Sequence, residues 1–202
     1  MSAATSPATP TAPDVDASTV DASAVDIPVL DISTLDLLAI GGGLGAGLVA
    51  GIFLAFSGFV MRALADMPPA AGILAMQRIN VRVLNAPIMA LLFGTGMVSL
   101  GLGVAGGLAL ADGGVADGGV ADGGVARGLA LLIGAGAYLL GCLAVTGLRN
   151  VPLNERLAPL DPAGAEAARL WARYLERWTA WNHRRTVASA LAGLCFMLAP
   201  LL

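Results

Sequence analysis

The chain has no lysine and a single histidine, His183. Only 12% of its 202 residues are charged and 57% are hydrophobic, with a mean hydropathy of +0.80. So low a charge share, about half of what soluble domains carry, excludes an ordinary solvated surface and points to a membrane protein. No nucleic-acid partner is expected. The two cysteines, Cys142 and Cys195, both fall inside apolar runs. That excludes a disulfide framework and a C-x-x-C metal or redox pair, and leaves them as small packing residues. One histidine without a nearby cysteine argues against zinc, and single-histidine haem ligation has no supporting motif. No metal site is expected, and the cofactor, if one is used, is not specified by the residues.

Three long uncharged runs are present, at 37–61, 86–111 and 128–148. Each reaches the roughly 20 residues that cross a bilayer core of about 30 Å. A fourth run, 186–202, is marginal unless the preceding turn lends it length. The reading is an all-α fold, a four-transmembrane-helix bundle over 37–202, in a plasma membrane of bacterial type. Residues 1–36 have no basic residue and repeat an acid every fifth position from Asp16 to Asp36, a period of neither helix nor strand, so they read as a disordered tail. A-D-G-G-V, repeated three times from Ala111, reads as a flexible loop over 111–126, with a calcium-binding turn as a remote alternative.

Ten of the eleven arginines lie in two segments, 62–85 and 149–185, and the eleventh, Arg127, sits at the edge of the repeat. The positive-inside rule places both segments in the cytoplasm and both termini outside. Helix 1 carries Gly45, Gly47 and Ala50 in a G-x-G-x-x-A pattern, yet within one uninterrupted apolar run. A dinucleotide site needs a preceding strand, so close helix packing through Gly43, Gly47 and Gly51 is expected instead.

Polar chemistry gathers in the arginine-rich segments. Gln77 and Asn80 stand three apart on a helical stretch and need partners if buried. Pro152 predicts that the third span ends near Leu148, which makes Asn150 and Asn154 groups that satisfy exposed backbone at that end. Asp161-Pro162 predicts a helix start, and nothing breaks the pattern from Ala165 to Ala192. On that helix Trp171, Tyr174, Trp178, Trp181, Asn182 and Arg185 form one stripe, which reads as an aromatic belt at the membrane surface, a face packed on the first arginine-rich segment, or one wall of a cavity. His183 lies beside it, as a structural hydrogen-bonding residue or as a general base.

N-V-P-L-N-E-R-L at 150–157 and W-A-R-Y-L-E-R-W-T-A-W-N-H-R-R-T at 171–186, with Q-R-I-N at 77–80, resemble the DUF1772 family of small integral-membrane proteins, which includes the anthrone oxygenases. Arg184 departs from the apolar residue expected between His183 and Arg185. The resemblance implies a four-helix membrane protein that oxidises a hydrophobic, anthrone-like aromatic with O2 at its cytoplasmic face. It implies His183 as base, with Asn182, Asn154 and Asn80 holding an enolate oxygen. Gln77, Asn150, Trp171, Tyr174, Trp178, Trp181 and Arg185 would bind the substrate. The competing expectation is a non-enzymatic membrane protein in which the same cluster locks two segments together. A transporter is weaker still, since no carboxylate or histidine lies inside a run.

Overall fold

A computed structural model describes residues 32–111 and 122–202. Most of the acidic tail and of the A-D-G-G-V repeat, with the disorder and calcium readings attached to them, lies outside these residues. Among the described residues the chain is helical with no strand. Helix α1 (Thr34–Ala55) starts earlier than the apolar run suggests, because Ser33 and Asp36 form a capping box. The tail therefore becomes ordered before residue 36. A π-helical turn at Phe56–Val60 and α2 (Met61–Ala65) continue the same helix.

After Pro68 and Pro69 comes α3 (Pro69–Arg82), and then α4 (Ala86–Ala111). Asn85 Oδ1 accepts from the Ile88 N–H at 3.1 Å and starts α4. Helix α5 (Asp122–Gly136) begins inside the third pentad, so the loop expected over 111–126 is already helical from residue 122.

The third span does not stop at Leu148. Two π-helical stretches, Ala137–Ala144 and Thr146–Asn150, carry it into α6 (Val151–Leu157). Pro152 is tolerated because the wider turn before it moves the ladder out of register at the point where the ring would clash. Val151 keeps helical angles, φ −58° and ψ −48°, against the usual preference before proline. Asp161 caps only a turn, its Oδ1 accepting from the Ala163 N–H, and α7 (Ala165–Leu198) begins three residues beyond the Asp-Pro pair.

Among the described residues three helices are long and apolar enough to cross a membrane: Thr34–Ala65, Ala86–Ala111 and Gly124–Leu157. This is compatible with an integral membrane protein. Helix α7, at roughly 1.5 Å per residue, is about 50 Å long. Only the stretch 186–198 follows its last arginine, too short to join that count, and this stretch packs on α1 and α5 through Gly193, Cys195 and Phe196. One apolar core, including Ala46, Leu102, Tyr138, Cys142 and Phe196, lies among the long helices. A second, with Met61, Ile73, Met76, Leu157, Trp171 and Tyr174, joins the two arginine-rich connections at one end. At the other end Arg127 pairs with Asp36 at 2.6 Å.

The glycine face of α1 is not the one expected. Gly47 and Gly51 face open space, whereas Gly42 and Gly43 press on α4 and α7, and Gly193 of α7 meets the Gly43 carbonyl. The face is set by Ala46 and Ala50, which are buried beside those two glycines. In the second core, a Cβ on Gly72 would meet the Leu64 carbonyl oxygen at 2.6 Å and the Trp171 ring at 3.0 Å. Gly72→Ala is therefore expected to cost about 1–3 kcal/mol, since a backbone atom must give way; chemical denaturation in detergent reads it directly.

Candidate functional site

Between α1, α3, α4 and the continuous α5–α6 helix lies a cavity of about 440 Å³. Its walls are apolar, with Phe53 and Phe56 of the first span facing Leu91 and Leu92 of α4. Polar groups converge on it: Gln77 and Asn80 from α3, Thr146, Asn150 and Asn154 from the third span, and Arg185 from α7. Trp178 adds a ring to the same wall. A mostly apolar space with a few placed polar groups is the ordinary form of a small-molecule site.

Arg185 is the unusual member. It is 4% exposed, and no carboxylate among the described residues pairs with it. Its guanidinium lies over the Phe53 ring at 4.1 Å and near the Trp178 ring at 5.3 Å. Nη2 donates to Asn182 Oδ1 at 2.6 Å and Nη1 to Thr146 Oγ1 at 3.2 Å, while Nε has no partner among the described residues. A buried cation held only by neutral dipoles and aromatic faces carries a large desolvation cost. Such a group attracts an anion that enters the cavity. Asn150 offers the complementary atom: Nδ2 donates to the Trp178 carbonyl at 3.2 Å, and its buried Oδ1 is also without a partner among the described residues.

The remaining polar side chains hold this arrangement. Asn182 is fully buried behind Arg185, and its Nδ2 donates to the Phe53 carbonyl at 2.7 Å and to Ser57 Oγ at 2.6 Å. Those contacts occur where α1 widens into its π turn, and an inserted side-chain donor accounts for the distortion. Asn154 Oδ1 accepts from the Tyr174 hydroxyl at 2.8 Å and from Trp178 Nε1 at 2.9 Å. Asn80 lies beside the same phenol. Burial pushes the Tyr174 phenol up, so the hydroxyl stays a neutral donor. Gln77 Nε2 donates to the Leu157 and Leu160 carbonyls, both at 2.9 Å, which closes the open end of α6. Asn154→Ala leaves two buried donors without an acceptor and is expected to destabilise the protein by about 2 kcal/mol, read as a lowered unfolding midpoint.

The structure divides the residues expected at the site into three groups. Gln77, Asn80, Asn150, Asn154, Trp178 and Arg185 line the cavity. Trp171 and Tyr174 stack on each other at 5.5 Å in the core beneath it, and Asn182 stands behind Arg185. Trp181 and His183 are not brought to it. Trp181 lies between Arg149 at 4.8 Å and Arg184 at 4.1 Å, which gives Arg184 a partner on the outer face of α7. His183 is exposed and absent from the cavity lining. The chain instead places Glu155 there, the one carboxylate among the lining residues. Ending the third span at Leu148 hid Glu155: only on an unbroken helix do Asn150, Asn154, Glu155 and Ala158 share a face. Phe53 and Phe56 left no signal in a helix apolar on every side.

Among the described residues no three histidine, cysteine, aspartate or glutamate side chains gather closely enough to hold a metal ion. A family model described as anthrone oxygenase matches residues 89–195, which include Asn150, Asn154, Glu155, Asn182 and Arg185 but not Gln77 or Asn80. No curated protein and no solved structure matches the chain.

Proposed function

The chain belongs to the anthrone oxygenase family, and from that premise we propose that it oxidises a flat, hydrophobic, anthrone-like ketone with O2 in the cavity under Arg185. The carrying observation is a buried guanidinium with no carboxylate partner among the described residues, on the wall of a mostly apolar space. An anthrone is uncharged until a proton leaves the CH2 between its rings. The resulting enolate concentrates charge on the former ketone oxygen, and Arg185 supplies a fixed positive charge for it. Glu155 takes the proton at the cavity mouth. The enolate carbon passes electrons to O2 and forms a C–O bond, and the resulting peroxide anion takes back the proton held on Glu155 to become a hydroperoxide. Loss of the second C–H proton with cleavage of O–O then releases water and leaves a C=O. One ketone and one O2 thus give one quinone and one water, and no external reductant enters the balance.

The rings stack on Phe53, Phe56 and Trp178, and the apolar walls suit a substrate that partitions into lipid. Part of the cavity rim is strongly exposed and apolar, with Val81 at 71%, Leu84 at 70% and Phe93 at 58%. In a membrane Phe93 faces lipid and Val81 and Leu84 lie at the cytoplasmic edge of the bilayer, so the substrate enters sideways near that surface. In this reading the second half of α7 is the fourth span, the arginine-rich connections lie on the cytoplasmic side and both termini lie outside. The test is O2 uptake by the full chain purified in detergent, with anthrone as substrate. Oxygen consumed and quinone formed should be equal in amount; no uptake above the autoxidation rate overturns the reading.

A second reading, a non-enzymatic lock between helices, is favoured by one observation. The Gln77, Asn154 and Asn182 carboxamides all tie one helix to another. A lock alone predicts no anthrone turnover and a loss of stability at each of these positions.

A further inference from the structure

A second concavity, of about 540 Å³, lies between α6 and the first turns of α7, away from the cavity under Arg185. Arg169, Arg173 and Arg177 recur every four residues and so project from one face of α7, and Arg156 approaches from α6. All four are exposed, and none forms an ion pair with a carboxylate among the described residues. Glu166 is the one acid on the rim. Four like charges around one recess repel each other unless an anion shares them. The floor is different in kind: Leu153 and Leu170 are half-buried apolar side chains, and the Tyr174 hydroxyl is already committed to Asn154.

We propose that this recess binds the headgroup phosphate of an anionic phospholipid, with its glycerol and first methylenes resting on Leu153 and Leu170. Guanidinium forks match phosphate oxygens in pairs, which favours arginine over a diffuse basic surface. Position selects a lipid as the source of that phosphate. Leu153 and Arg156 fall in the last two turns of the helix Gly124–Leu157, past Arg149 where its uncharged run ends, a stretch at headgroup level. The uncompensated charge selects an anionic lipid over a zwitterionic one. The site stands apart from the oxidation chemistry and does not depend on it.

The full chain is to be compared in phosphatidylcholine nanodiscs with and without phosphatidylglycerol. Retained lipid is counted by native mass spectrometry and the unfolding midpoint is followed by heating. Phosphatidylglycerol should be retained and should raise the midpoint by on the order of 5 °C. Replacing Arg156, Arg169, Arg173 and Arg177 by glutamine should abolish both effects, and Arg173→Gln alone should weaken them if the fourfold variant folds poorly. Glutamine at Arg78 and Arg82, exposed arginines outside the recess, should leave both effects in place. Equal stabilisation by inorganic phosphate would overturn the lipid assignment. So would equal retention of phosphatidylglycerol by the fourfold variant, or an equal loss in the Arg78 and Arg82 variant.

Discussion

Arg185→Gln lowers kcat for anthrone oxidation by about 10²–10³-fold and leaves the unfolding midpoint unchanged or higher. The two halves of this result come from one physical fact. Arg185 is a buried cation whose contacts are neutral dipoles and aromatic faces. Keeping it there without a carboxylate costs folding free energy, and a neutral side chain removes that cost. Glutamine is shorter, so Asn182 Oδ1 loses its donor, an offset smaller than the relief of a buried unpaired cation. The lost charge is felt only when the substrate becomes an anion, and removal of one such stabilising donor typically costs 10²–10³-fold in rate. Arg185→Lys keeps the charge but cannot lie flat between Phe53 and Trp178 or reach Asn182 and Thr146 together, and recovers only part of the activity. A purely structural arginine predicts the reverse for the glutamine variant, a lowered midpoint. Steady-state oxygen uptake and thermal unfolding on the same preparation decide between them.

The second large effect separates two candidates for the base. Glu155→Gln is expected to reduce kcat by about 10²–10⁴-fold, the usual worth of a positioned proton acceptor, with little change in KM. His183→Ala is expected to retain nearly the wild-type rate, because the imidazole is absent from the cavity lining whereas Glu155 is part of it. Glutamine keeps the size of Glu155 and removes only its ability to take a proton, so a fall in kcat alone reports chemistry rather than packing. Full activity of Glu155→Gln, or an inactive His183→Ala, contradicts the assignment. In that case the proton leaves by a route that does not pass through the cavity mouth.

Helix content and the apolar character of the spans were legible from charge alone, since three uncharged runs of sufficient length have one physical solution in a bilayer. The polar cluster was also legible: carboxamides and tryptophans at helical spacing among apolar neighbours need buried partners, and Asn80, Asn154, Asn182 and Arg185 have such surroundings. The path of the third span was not. A proline rule predicts a stop at Pro152, but π turns relieve the clash, and no local residue preference announces them. That single misplacement concealed the face carrying Glu155.

The direction of the last α7 residues before the apolar half was legible only in part. Trp178, Asn182 and Arg185 follow the inward stripe, whereas Trp181 falls off it and packs between two arginines. A spacing of three from Trp178 fits either side of a helical stripe, and tertiary contacts chose the outer one. His183, next to it, turns outward with it. The glycines of α1 show the same limit: with glycine or alanine at so many positions, two faces are equally able to pack, and only the partner helix selects one.

The central claim is that the cavity binds its substrate as an anion opposite Arg185. The most direct measurement is an anaerobic absorbance titration of anthrone into the purified protein at neutral pH. Without O2 the bound species cannot react onward. The account predicts the long-wavelength band of the enolate on binding to the wild-type protein and its absence with Arg185→Gln, which should bind the neutral ketone. A bound ketone that stays neutral in the wild-type protein, or an enolate band unchanged in Arg185→Gln, would contradict it.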